Sequence, residues 1–153
     1  MLNPSNQSNY IIDKLKKKNY KSSVWTAMTH DLNLTTSGTT NSDFKIKLIE
    51  NNSDLKLWLG IVETELMGNH LLNHEIFKNL LENKNCYLFL GFEGETPVAT
   101  SLLYVNESNA GIYLVSTIKT HRKKGFGKEI TQKCLFKAKE LKCDRVDIQA
   151  TEF

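Results

Sequence analysis

Val115-Ser116-Thr117-Ile118-Lys119-Thr120-His121-Arg122-Lys123-Lys124-Gly125-Phe126-Gly127-Lys128 is the stretch on which the fold turns. A strand-like run ends abruptly, and a loop with four cationic residues follows (Arg122, Lys123, Lys124 and Lys128). Gly125 and Gly127 stand at the mouth of a segment with helical period. Glycine lets the backbone take positive φ and come close to a ligand. The first amides of a helix have no internal partner and lie at the positive end of its dipole. Strand, cationic loop and glycine-flanked helix start therefore describe a cradle for a diphosphate, built mainly from backbone amides.

Downstream, Ile130, Cys134, Ala138 and Leu141 recur at helical spacing and form the expected buried stripe, and residues 145–150 read as one more strand. Upstream, residues 44–49 alternate like a half-buried strand, and Asp54 is a candidate N-cap. The helix it would start turns Leu55, Leu57, Trp58, Ile61, Val62 and Leu66 inward, and a second helix holds Ile76, Phe77, Leu80 and Leu81. Residues 86–92 form a continuous apolar strand, 93–97 a turn, and 98–105 the returning partner. A second turn at 106–109 leads into a strand over 111–116. The order from Asp43 is β-α-α-β-β-β-α-β, an α/β fold with a hairpin-containing mixed sheet and helices packed on it.

Residues 1–42 differ in character. Ile11, Ile12 and Leu15 at helical spacing, beside Lys14, Lys16, Lys17 and Lys18, describe a short basic amphipathic helix whose lysines form a solvated face. A strand-like stretch follows at 24–28, and the polar run 35–42 reads as a linker. The expected organisation is a helix-strand appendage with linker over 1–42 and a domain over 43–153.

With 153 residues, 40% hydrophobic and 24% charged, the chain suits one globular domain plus a short appendage. A net charge of +3 favours anionic ligands but is too small to indicate nucleic acid. Cys86, Cys134 and Cys143, odd in number and without CxxC spacing, fit neither a disulfide framework nor a zinc site, and read as reduced thiols in a cytoplasmic protein. The polar residues after Met1 give no secretory signal, and the longest apolar runs are strand-sized, below the roughly 20 residues of a membrane span.

Arg122-x-x-Gly125-x-Gly127, following a strand and opening a helix behind a hairpin and two earlier helices, resembles motif A of the GNAT (Gcn5-related) N-acetyltransferases, written Gln/Arg-x-x-Gly-x-Gly/Ala. The resemblance covers residues 44–153. It implies that acetyl-CoA binds with its pyrophosphate against the amides of 122–127, drawing on Arg122, Lys123, Lys124, Gly125, Phe126, Gly127 and Lys128. The pantetheine arm is then expected beside Leu114, Val115, Ser116 and Thr117, where the sheet splays from the 145–150 strand, and an amide near Val115 polarises the thioester carbonyl. A small-molecule or peptide amine attacks directly. No metal, nucleic acid or membrane is implied.

Family members continue past the last strand into a helix and two strands, and that helix commonly carries a tyrosine that protonates the departing thiolate. The sequence ends at Phe153, so nothing here maps onto it and the domain is expected to be C-terminally incomplete. Residues 9–34 resemble the closing helix and strand of a GNAT domain, which leaves two readings. The preferred one is a fragment of a longer tandem protein. In the other, this segment folds back or swaps between protomers to cover the exposed sheet edge, giving a possible homodimer. The function expected is N-acetyl transfer from acetyl-CoA to an amine; the alternative is a truncated or vestigial protein that binds acetyl-CoA without turnover.

A general base is not assigned. Residues 111–120 contain no carboxylate, and Glu63, Glu65 and Glu107 are the remaining candidates, each open to being a surface acid. His121 abuts the cradle and is read as a loop cap, with contact to a phosphate as the alternative, and His70 and His74 have the spacing of a metal pair but lack a third ligand. Tyr104, Tyr113, Trp58 and Cys134 are read as packing residues.

Overall fold

In the computed structural model, which describes residues 6–20, 25–34 and 43–151, the chain runs α1 (Asn6–Lys17), β1 (Trp25–Asp31), a 3-10 turn (Leu32–Leu34), β2 (Phe44–Leu48), α2 (Asn52–Glu65), α3 (His74–Glu82), β3 (Cys86–Glu93), β4 (Thr96–Asn106), β5 (Asn109–Thr117), a second 3-10 turn (Lys119–His121), α4 (Phe126–Glu140) and β6 (Arg145–Thr151). The expected linker over 35–42 lies outside the described residues. Two compact units are present, Ala27–Gln149 and a smaller one of Met1–Thr26 with Ala150–Phe153. In the smaller, α1 closes where the Lys18 and Tyr20 amides both reach the Leu15 carbonyl, at 2.9 and 3.1 Å.

The strands form one mixed sheet in the order β1-β6-β5-β4-β3-β2. The β2–β3, β3–β4 and β4–β5 pairs are antiparallel, and β5–β6 is parallel. A parallel neighbour needs a crossover, which α4 supplies. The far edge of β6, expected to be exposed, is occupied by β1 of the same chain. There the Thr29 hydroxyl donates to Asp147 Oδ1 at 2.6 Å and the Leu32 amide to the Asp144 carbonyl at 3.0 Å. The edge of β6 is thus covered within the chain, as in the fold-back form of the second reading, and is not the open edge expected for a homodimer.

Both sheet faces are covered, which is why β3 reads as a continuous apolar run. On one face, Phe89, Ala99, Leu103 and Ile112 pack under Ile130, Cys134 and Ala138 of α4. On the other, Leu88, Leu90 and Leu102 meet Leu55, Trp58, Leu59 and Val62 of α2, with Phe77, Leu80 and Leu81 of α3 at the margin. Trp58 is fully buried and its indole N–H donates to the Ser101 carbonyl at 3.3 Å.

Two local expectations change. The N-cap of α2 is Asn51, whose side chain accepts the Asp54 amide at 2.9 Å, so Asp54 lies inside the first turn. Leu57 and Leu66, expected inward, are each 45% exposed. The inward stripe is 55, 58, 59 and 62; Leu57 falls opposite it at 100° per residue, and Leu66 is the C-cap, where the helix ends.

Candidate functional site

β5 carries the geometry. Its ladder to β6 runs from Asn109↔Arg145 to Ile112↔Ile148, and among the described residues no rung joins 113–117 to β6. On its other side the register with β4 shifts between Thr100 and Leu102, so Leu114 and Val115 together oppose Ser101. Leu114 takes φ 51 in this bulge, and its carbonyl accepts the Thr100 hydroxyl at 3.0 Å. A bulge re-aims the strand, here away from β6. Ser116, 5% exposed, holds a buried hydroxyl with no hydrogen-bond partner among the described residues.

The loop then turns twice through left-handed conformations, at Lys123 (φ 63) and Gly125 (φ 91), before α4 begins. Asn51 and Asn73 cap α2 and α3 through side-chain oxygens, whereas α4 has no side-chain cap. Its first occupied amide is that of Glu129, bonded to the Gly125 carbonyl at 3.0 Å. Among the described residues nothing accepts from the amides of 123–128. The Arg122 amide, expected to be part of this row, instead points to the Lys119 carbonyl at 3.5 Å. Gly127 lies against the end of β5: a methyl built on it would sit 3.4 Å from Thr117 Oγ1.

The cations divide into two kinds. Arg122 Nη2 donates to Glu65 Oε2 at 2.7 Å, and its Nε donates to the Thr117 carbonyl at 3.0 Å. Lys124 Nζ sits on both carboxylate oxygens of Glu93, at 2.8 and 2.9 Å, and His121 Nε2 lies 3.4 Å from the same group. His121 Nδ1 also meets the Thr120 hydroxyl at 2.9 Å, a side-chain contact that caps no backbone group. Lys123 and Lys128 make no ion pair among the described residues. Phe126 is buried and stacks on Phe44, with centroids 4.4 Å apart, so its ring belongs to the core.

The acid candidates are not brought together. Glu63 Oε1 accepts the Leu72 amide at 2.7 Å, fastening the α2–α3 connection. Glu65 Oε1 accepts the Lys119 amide at 3.1 Å while its other oxygen holds Arg122. Glu107 sits in the β4–β5 turn with φ 54, at the opposite end of β5, roughly 25 Å along the strand from its last residue. Glu93 was missed in the sequence because its place before Gly94 marked only a turn.

Cys134 is fully buried with its sulfur 3.2 Å from the Ser101 hydroxyl, and burial pushes its thiol up to about 12, far from a nucleophile's range. Burial also raises Cys86, and burial followed by the Asp144 charge raises Cys143; all three are free. Tyr113 is 51% exposed, its ring laid over Gly111 of the same hairpin. His74 Nδ1 is 4.0 Å from Glu75, and the described residues hold no group of three potential metal ligands. Among them no helix is long and apolar enough to cross a membrane.

The acetyltransferase (GNAT) family model matches residues 53–152, which includes β5, the cationic loop and α4. No curated protein sequence matches the chain. Solved structures share the fold. A GCN5-related N-acetyltransferase from Kribbella flavida aligns with TM-score 0.63 and 12% identity over 80% of this chain. This chain spans 46% of that protein's length. An aminoglycoside acetyltransferase from an uncultured soil metagenomic sample, solved with sisomicin, gives 0.64 and 22% identity, covering 72% of this chain and 79% of its own. The ribosomal-protein-S18-alanine N-acetyltransferase from Escherichia coli gives 0.55 and 11%, covering 64% and 61%. Motif, mixed α/β sheet and family match converge: the chain belongs to the acetyltransferase (GNAT) family.

Proposed function

We propose that this protein is an N-acetyltransferase that takes its acetyl group from acetyl-CoA and delivers it to an amine. The observation that carries the reading is the row of partnerless amides at 123–128, opening an uncapped helix directly after a strand that has left its neighbour. N–H groups without an internal acceptor at a helix N-terminus suit a diphosphate, and Gly125 and Gly127 keep side chains out of its way. Lys123 and Lys128 add charge that no acidic group among the described residues neutralises, unlike Arg122 and Lys124.

The backbone of 113–117, unpaired toward β6, offers strand-type hydrogen bonds to the pantetheine arm. Within it the Val115 amide is the donor assigned to the thioester carbonyl, a role worth most in a site that excludes water. When bound, acetyl-CoA supplies an activated acetyl thioester. The chain's own contribution is to hold and orient, and to bring an amine to that end of β5. The acceptor is a small-molecule or peptide amine, a class that includes the aminoglycosides acted on by one structural neighbour.

A second reading, an acetyl-CoA-binding protein without turnover, is favoured by Glu63 and Glu65 both being occupied by backbone amides and Glu107 lying far away. One experiment separates the two: calorimetric titration with acetyl-CoA and CoA, then thiol release with a panel of primary amines. Binding with release supports the transferase, binding without release supports the second reading, and no binding refutes both.

A further inference from the structure

We propose that Glu65 is a positioning residue for the cofactor loop, and that Arg122 acts chiefly as its partner rather than as a phosphate ligand; the inference rests on the acetyl-CoA reading above. Glu65 is the last residue of α2, 57 positions from Arg122 in sequence, and its side chain is only 11% exposed. One carboxylate oxygen takes the Lys119 amide at 3.1 Å, at the start of the 3-10 turn that follows β5. The other takes Arg122 Nη2 at 2.7 Å, and Arg122 Nε closes the bracket on the Thr117 carbonyl at 3.0 Å.

Two loop points, 119 and 122, are thereby fixed to one carboxylate on the helix across the loop, and Arg122 in turn holds the Thr117 carbonyl at the end of β5. Both donors to that carboxylate are satisfied with good geometry, and charge-assisted bonds of this kind are the stronger ones. The bracket ends where the partnerless amides begin, at Lys123. Its mechanical consequence is to set where those amides stand before a ligand arrives, which lowers the ordering cost of binding. It also ties the cofactor loop to α2, so the helix on one sheet face and the loop leading to the helix on the other move together. Arg122 commits two of its five donors to protein acceptors, and the nearest counter-charge to its guanidinium is already the Glu65 carboxylate rather than a phosphate.

The test uses the full chain with CoA as probe. Glu65→Ala and Arg122→Ala should each weaken CoA about tenfold, and the double variant should be no more than about twofold worse than the weaker single, because both remove one shared bracket. Glu65→Gln, which retains an acceptor for the Lys119 amide, should fall between wild type and Glu65→Ala and guards against a variant that fails to fold. Hydrogen exchange in free protein should accelerate across 117–128 in Glu65→Ala without matching acceleration in β3 and β4. Additive losses in the double variant, CoA affinity within twofold of wild type in Glu65→Ala, or unchanged loop exchange would overturn the bracket. Wild-type protein that binds no CoA overturns the acetyl-CoA reading instead.

Discussion

Substitutions at Gly127 test the cradle most directly because size and function make opposite demands there. Gly127 is the second residue of α4, and a methyl placed on it would lie 3.4 Å from Thr117 Oγ1. That is a tight but accommodable contact, and alanine exceeds glycine in helix propensity by up to about 1 kcal/mol. Gly127→Ala should therefore leave the melting temperature equal to or slightly above wild type and keep CoA affinity within about threefold. Gly127→Val adds two methyls with restricted χ1 beside the end of β5, where overpacking costs about 1–3 kcal/mol. The same methyls project beside the partnerless amides, so CoA affinity should fall by at least about 100-fold, equivalent to about 2.8 kcal/mol. Thermal melts and calorimetric titration on all three proteins separate the two effects. A valine variant that binds CoA as wild type does would refute the assignment of 123–128 as the diphosphate site.

Gly125→Ala has room, its nearest atom being Glu129 Oε1 at 4.0 Å, yet φ 91 is left-handed, so thermal melts should show about 1–2 kcal/mol of destabilisation from backbone strain alone. Gly91→Ala would drive a methyl into the Phe44 ring, 2.7 Å from Cε2, and that ring stacks on Phe126 at the start of α4. Urea unfolding should reveal a loss of about 1–3 kcal/mol, with weakened CoA binding if the shift reaches the loop. Cys134 should resist thiol reagents in the native protein at pH 8 and label only on unfolding. Its native thiol is raised to about 12, so the unfolded chain gives up its proton first and stability should decline as pH rises from about 8.5 toward 12. Native labelling of Cys134 at pH 8 as fast as in denaturant would contradict the burial.

Much of this protein is local. The 3.6 period of Ile130, Cys134 and Ala138, the apolar run of β3 and the glycine pair at 125 and 127 each follow from neighbours a few residues away, where chain geometry ties pattern to structure. The helix–strand order could be read from them, and so could the family. The tertiary structure decided which charges remain for a ligand. Four cations look alike along the loop, but Glu65 and Glu93 arrive from 57 and 31 residues away to occupy Arg122 and Lys124. It also decided that β1 closes the edge of β6, and that Glu107 lies at the wrong end of β5. Such pairings depend on where distant segments meet in space, and side-chain ion pairs leave no period in the sequence for a local reading to detect.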